Sequence, residues 1–211
     1  RVMYVVRGLD NLTPGTRARA VCVGAFDGFH LGHQYLLRRL CALAGERGFD
    51  SGIVTFEPPP TQFFAPPGEP PRRLITLAER IALAESLCCD VMAILDLDAA
   101  LAAWTAERFI TQVLVAGLGT RMLVASSTHT MGHDRADIGR ITELCQAHGL
   151  EVVAPPIMQL ADLRVSSSAI RQALWEGHVE VAANMLGRHY SFAGRVVPGR
   201  GLGRELGFPT A

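Results

Sequence analysis

The sequence predicts an α/β fold, a parallel β-sheet covered by helices on both faces. Three observations carry that expectation. Short apolar runs such as 20–25 (AVCVGA), 52–56 (GIVTF) and 90–95 (DVMAIL) recur with little polar alternation, as strands buried on both faces require. Segments with apolar residues three to four positions apart lie between them, as crossover helices would. The unusual short motifs fall directly after strands, and parallel sheets bind ligands at the carboxyl ends of their strands, near a change of strand order.

In chain order, 20–25 reads as a buried strand. The helix predicted over 32–47 gathers Tyr35, Leu36, Leu37, Leu40, Leu43 and Ala44 on one face, with Gly48 placed to end it. Residues 52–56 form the next strand. The following stretch, EPPPTQFFAPPGEPPRR, holds too many prolines for helix or strand and is expected to be an irregular loop. Thr76 caps a helix over 76–88, and Glu79, three residues on, completes a capping box. A strand at 90–95 follows, then a helix over 106–116 capped by Thr105, and a strand at 121–126. Next come a helix over 137–148 closed by Gly149 and a strand at 150–154. Ser166 or Ser167 caps a helix through Trp175, Gly177 ends it, and a short helix spans 179–186. Beyond Gly187 the pattern alternates, with five glycines and no helical period. That texture predicts the first strand and Gly-rich loop of an all-β module, too short to fold alone. The expected division is 1–187 and 188–211.

Composition excludes several function classes. Twenty basic residues balance 20 acidic ones, and a net charge of zero argues against a general nucleic-acid surface. Every basic residue is arginine, so any phosphate must be met by arginine, histidine, backbone N–H or a metal. No uncharged apolar run reaches the ~18 residues a membrane span needs, and no secretory signal pattern is visible. The chain begins at Arg1, so its natural N-terminus is expected to lie upstream. Cys22, Cys41, Cys88, Cys89 and Cys145 have no metal-ligand spacing and read as buried free thiols in a reducing cytoplasm.

The stretch VCVGAFDGFHLGHQYLL, 21–37, holds the chemistry. Gly24 leaves the strand end open to close approach, and Asp27-Gly28 allows a sharp turn. A helix start then offers free N–H groups and the positive end of its dipole, a seat for phosphate. His30 and His33, three apart, share one face of that start. Such a pair could also ligate zinc, but no third ligand has supporting spacing, and no metal-ligating residue is expected. Asp27 reads as a turn residue or as an indirect magnesium contact.

Gly-x-Phe-Asp-Gly-x-His-x-Gly-His after a strand resembles the signature of the nucleotidyltransferase superfamily. The fuller match is to the prokaryotic bifunctional riboflavin kinase/FAD synthetase family. It is carried also by TFEPPP at 55–60, LITLAERIALAESL at 74–87, RVSSSAIRQALWEGHVEVAANMLGRHY at 164–190 and GRGLGRELGFPTA at 199–211. The resemblance implies a Rossmann-like nucleotidyltransferase fold over 1–187, followed by the start of a truncated β-barrel of the riboflavin kinase type. It implies transfer of AMP from ATP to FMN with magnesium, giving FAD and pyrophosphate by direct attack without a covalent enzyme intermediate. Partners would be ATP and FMN, with no nucleic acid or membrane. Riboflavin phosphorylation is not expected from 188–211 alone.

By the same resemblance His30, His33 and Arg171 would be catalytic. Gly24, Phe26, Asp27, Gly28, Gly32, Ser167 and Ser168 would line the nucleotide site, and Phe64, Thr128 and His129 would meet the flavin. Two positions depart from the family pattern. Pro59 stands where a histidine is expected, and VASSTHTMG at 124–132 replaces a Val-Gly-x-Asp/Asn-Phe-x-Phe-Gly loop. Ser126, Thr128, His129 and Met131 thereby displace a glycine, an acid or amide, and two aromatics, and flavin stacking in that loop is expected to be lost. His129 or His133 could supply the missing imidazole. The departures leave open a related transferase with a non-flavin phosphate acceptor, or a nucleotide- or flavin-binding module without turnover.

Overall fold

The computed structural model describes residues 2–68, 73–87, 89–156, 159–160, 163–195, 197 and 205–208. Six strands form one sheet: β1 (Tyr4–Arg7), β2 (Arg19–Val23), β3 (Asp50–Glu57), β4 (Val91–Asp96), β5 (Thr120–Val124) and β6 (Glu151–Val153). Their order is β1-β4-β3-β2-β5-β6, and every neighbouring pair runs parallel. The chain walks outward from β2 through β3 to β4, then returns to continue as β5 and β6 on the other side of β2. The reversal lies between β2 and β5, and a crevice opens there at the carboxyl ends of the strands. β1 lies outside the sequence-predicted strands. It is a four-residue edge strand with Tyr4 exposed, within an apolar run over 2–6 that the sequence reading passed over.

The helices are α1 (Leu31–Arg47), α2 (Pro60–Phe63), α3 (Leu77–Ser86), α4 (Ala99–Ala102), α5 (Ala106–Phe109), α6 (Ile138–Ala147), α7 (Ser167–Trp175) and α8 (Val179–Leu186). α5 runs on as a wider π-helical stretch over Ile110–Gly117, so the helix expected over 106–116 forms with a change of pitch. The capping box expected at Thr76 and Glu79 is present. One core packs α5, its π continuation and α6 against Val21, Val54, Leu95 and Leu123. The other packs α1 and α3 against Cys22, Ile53, Met92 and Met122. Helices therefore cover both faces, as the apolar strands predict. Leu37 and Leu40 of α1 are fully buried, each contributing roughly 1.5–3 kcal/mol of transfer free energy. A third, smaller cluster joins α7 and α8 to Leu74 and Val165.

The proline-rich stretch is not wholly irregular. Pro60 starts the single turn of α2 after the cis Glu57–Pro58 bond and Pro59. A proline is tolerated at a first helical position, whose N–H has no helical partner in any case. A short antiparallel hairpin, β7 (Gln159–Leu160) with β8 (Leu163–Arg164), precedes α7. Within 188–211 the described residues, 188–195, 197 and 205–208, form no strand. The rest of that expected β segment lies outside the described residues. Cys22, Cys89 and Cys145 are buried free thiols and Cys41 is a half-buried one, its Sγ 3.9 Å from that of Cys89; Cys88 lies outside the described residues.

Candidate active site

The turn from Gly24 to His30 leaves β2 in an unusual conformation. Phe26, Gly28 and Phe29 all have positive φ, at 49°, 81° and 44°. Glycine adopts this region freely, but each phenylalanine there costs on the order of 1 kcal/mol or more. Surrounding contacts hold the strain. Both phenylalanine rings are buried against α1. Asp27, 2% exposed, accepts the N–H groups of Leu74 (3.0 Å) and Ile75 (3.3 Å) and pairs with the Arg171 guanidinium. Ser167 Oγ donates to the Asp27 carbonyl at 2.7 Å. A Cβ at Gly28 would meet Leu74 Cδ1 at 2.7 Å, so only glycine fits between the turn and the entry to α3. Asp27 anchors the turn through these bonds. Its carboxylate oxygens are engaged by backbone N–H groups and by arginine.

His30 is the N-cap of α1, and its Nδ1 accepts the His33 backbone N–H at 3.3 Å. With Nδ1 accepting, the neutral ring carries its proton on Nε2, which is left as a donor. The rings of His30 and His33 stack, with centroids 3.6 Å apart and 16° between planes. Gly32 makes room for this: a Cβ there would stand 3.2 Å from the His30 ring. The Phe26 ring meets His33 edge-on at 5.2 Å. Burial pushes His30 down to about 4, and the nearby Arg188 charge pushes the same way. Burial likewise holds His33 well below its ordinary value, helped by the charges of His30 and Arg80. Both imidazoles are therefore neutral at pH 7, and a triphosphate beside them would favour their protonated forms.

A stability prediction follows. The unfolded chain binds a proton at His30 below its ordinary value of 6.5, whereas the folded chain does so only near 4. Between those values the unfolded state holds more protons, so stability falls as the pH drops through that window. Thermal melts from pH 7 to pH 4 should show a declining midpoint, and a shallower decline in His30→Asn.

The opposite wall is the start of α7. Ser166 is its N-cap, accepting from the Ala169 N–H. Ser167, committed to Asp27, is the first helical residue. Ser168 is exposed at the helix entrance. Arg171 stands one turn along, 20% exposed. The two helix starts face one cavity of about 350 Å³, lined by His30, Gly32, His33, Ser166, Ser167, Ser168 and Arg171, with Asp27 at its floor. Ser126 and Thr128, from the loop after β5, close one side. This is the crevice at the strand-order reversal.

A second cavity, about 400 Å³, lies across Ala25 from the first and is mostly apolar. Gly24, Phe56, Phe64, Trp104, Phe109, His129, Met131 and His133 line it. Thr128 and His129 thus part company: Thr128 lies in the polar cavity, its Oγ1 3.2 Å from Ser126 Oγ, while His129 lies in the apolar one. His129 Nε2 is buried and has no hydrogen-bond partner among the described residues, and burial lowers the ring's pKa. Gly24 also belongs to the apolar cavity, and Phe26 and Gly28 line neither, acting beneath the turn. Sequence reading missed Trp104, Phe56 and Phe109, whose aromatic character looks like ordinary core until the topology brings them together. It also missed Arg80. That guanidinium is fully buried on α3, where Nη1 donates to Thr55 Oγ1 (3.1 Å) and the Phe56 carbonyl (3.0 Å). Thr55 Oγ1 in turn donates to the Ala25 carbonyl at 3.2 Å, bracing the partition between the cavities.

A family model described as FAD synthetase matches residues 13–169, and one described as riboflavin kinase matches 186–211. The chain belongs to the FAD synthetase family. Its relatives include proteins named bifunctional riboflavin kinase/FMN adenylyltransferase. That of Pseudomonas fluorescens is 39% identical over 210 residues, covering 99% of this chain and 67% of the relative. The Haemophilus influenzae and Escherichia coli K12 proteins are 34% and 32% identical, with 68% and 67% of each covered and 99% of this chain. A crystal structure described as a macrolide-efflux protein from Streptococcus pneumoniae superposes with a TM-score of 0.82 at 26% identity, covering 99% of this chain and 67% of that one. Among the described residues here, no helix is long and apolar enough to cross a membrane. A pantoate-β-alanine ligase from Francisella tularensis shares the fold, with a TM-score of 0.51 at 13% identity over 88% of this chain and 85% of that one.

Proposed function

We propose that this FAD synthetase family chain transfers AMP from ATP to FMN, releasing pyrophosphate. The observation that carries the reading is the meeting of two helix starts, two imidazoles and one arginine around a single polar cavity, with an aromatic cavity just across Ala25. The triphosphate occupies the polar cavity, where the N–H groups at the starts of α1 and α7 attract negative charge. The His30 Nε2–H donates to the phosphates as charge builds during transfer, and His33 lies stacked behind it. Arg171 supplies permanent positive charge from the other wall, its fork oriented by Asp27. Magnesium enters with ATP as part of the substrate, and no step is assigned to it. Among the described residues, no group of three or more histidine, cysteine, aspartate or glutamate side chains could hold an ion.

The isoalloxazine ring lies in the aromatic cavity, with Phe64, Trp104 and Phe109 available for stacking. His129 offers its unpartnered Nε2 to a polar edge of the ring. The aromatics missing from the loop at 124–132 are thus supplied by other elements, and this favours flavin over a non-flavin acceptor. An FMN phosphate oxygen then attacks the α-phosphorus of ATP; the P–O bond to the pyrophosphate breaks, and pyrophosphate leaves with those electrons. Catalysis is positioning and charge stabilisation, and no residue becomes covalently modified. Residues 1–187 make up this module, and 188–211 belong to a kinase-type module.

The test is the purified chain with ATP, Mg²⁺ and FMN. FAD and pyrophosphate should form in equal amounts, with a single inversion at phosphorus when α-thio-ATP is the donor. Tight ATP binding with no FAD at high enzyme concentration would overturn the flavin assignment, and retention of configuration would overturn direct attack.

A further inference from the structure

We propose that Arg188, which lies beyond α8 in the segment matching riboflavin kinase, is a positioning residue for His30. This rests on the adenylyl-transfer reading above. The turn preceding His30 has three residues at positive φ, and its backbone carbonyls point away from any regular ladder. Each of the three successive carbonyls before His30 is instead satisfied by a side chain. Ser167 Oγ donates to that of Asp27 at 2.7 Å. Arg188 Nη2 donates to that of Gly28 at 2.8 Å. The Phe29 carbonyl accepts Gln34 Nε2 at 2.9 Å and, more weakly, Arg188 Nη1 at 3.4 Å.

Arg188 and Gln34 also share the Leu186 carbonyl at the end of α8, at 3.4 Å and 3.0 Å. One guanidinium therefore ties the last turn of α8 to the two residues that aim His30. Close packing fixes the same joint. Gly187 has φ 69°, and a Cβ there would meet Leu31 Cδ2 at 2.5 Å, so the junction presses directly on the first residue of α1. Without the guanidinium the Gly28 carbonyl loses its donor, and two left-handed phenylalanines lose a restraint on their strained geometry. His30 would then be free to drift from the phosphate, and misplacement of a catalytic group by about 1 Å can cost up to about 100-fold in rate.

The experiment uses the whole 211-residue chain with Arg188→Met and Arg188→Lys. FAD formation should lose about tenfold or more in kcat in Arg188→Met, with KM for ATP within about twofold of wild type. Arg188→Lys, which can still reach one carbonyl, should recover part of the loss. A kcat for Arg188→Met within twofold of wild type, or a loss matched by the fall in folded fraction, would overturn the proposal. A second measurement needs no turnover: the imidazole Cε1–H signals of the folded chain. In Arg188→Lys the His30 and His33 signals should move while that of His148, on the far side of the sheet at the end of α6, stays in place. Unmoved signals would overturn the positioning role even if wild type made no FAD, an outcome that would count against the transferase reading separately.

Discussion

His30→Asn is expected to lower kcat for FAD formation by roughly 100- to 1,000-fold, about 3–4 kcal/mol of barrier, the loss typical when one preorganised donor is removed from a developing oxyanion. Asparagine separates the two jobs of this residue. His30 caps α1 through Nδ1, which accepts the His33 N–H. An asparagine Oδ1 can take over that bond, and asparagine is among the strongest N-caps. The start of α1 and its phosphate-facing N–H groups should therefore persist, and the melting midpoint at pH 7 should change little. What asparagine cannot replace is the reach of Nε2–H into the cavity. KM for ATP should rise much less than kcat falls, because the lost bond strengthens only as charge accumulates in transfer. A stable His30→Asn protein with wild-type kcat would remove the imidazole from the chemistry.

Asp27→Ala is expected to be the most destabilising single change in the site, by about 3 kcal/mol, the low end for breaking a buried ion pair because Arg171 keeps a fifth of its exposure. The carboxylate ties together three elements: the turn after β2, the entry to α3 through Leu74 and Ile75, and α7 through Arg171. Its loss leaves two buried N–H groups without their acceptor and takes the buried carboxylate away from the Arg171 guanidinium. For a chain of this size that loss corresponds to a melting-midpoint drop of roughly 6–12 °C. Activity should fall with it even well below the midpoint, since Arg171 loses the buried carboxylate it pairs with. Asp27→Asn, which keeps an acceptor for the Leu74 N–H, should lose less stability but as much activity. Equal activity in wild type and Asp27→Asn would show that the Arg171 orientation is immaterial.

Much of this architecture was legible because burial on both faces writes itself into a strand as unbroken apolar residues. β2, β3, β4 and β5 gave that signal, β6 was read from the mostly apolar stretch 150–154 although it is a partly exposed edge strand, and the helices between them gave their period and caps. β1, the other edge strand, has a comparable apolar run at 2–6, and the sequence reading passed over it. The turn of helix at Pro60–Phe63 was hidden because proline content argues against helix interiors but not against a first turn. In the site, the residues of the local motif, His30, Gly32 and His33, line the polar cavity together, and the serine run marks the second helix start. The split between Thr128 and His129 could not be read, because adjacent residues of an irregular loop carry no periodicity to assign their sides. Nor could the bonds from Arg188 and Arg80. Each depends on a partner far along the chain, 160 residues for Arg188 with Gly28 and 25 for Arg80 with Thr55. No spacing rule links such residues before the sheet order is known.

A crystal structure of the chain with a non-hydrolysable ATP analogue and FMN tests the central claim most directly. The triphosphate should lie between the starts of α1 and α7, with His30 Nε2 and the Arg171 guanidinium within hydrogen-bonding distance of its oxygens. The flavin should lie across Ala25 among Phe64, Trp104 and Phe109. A triphosphate seated in the aromatic cavity, or touching neither His30 nor Arg171, would contradict it.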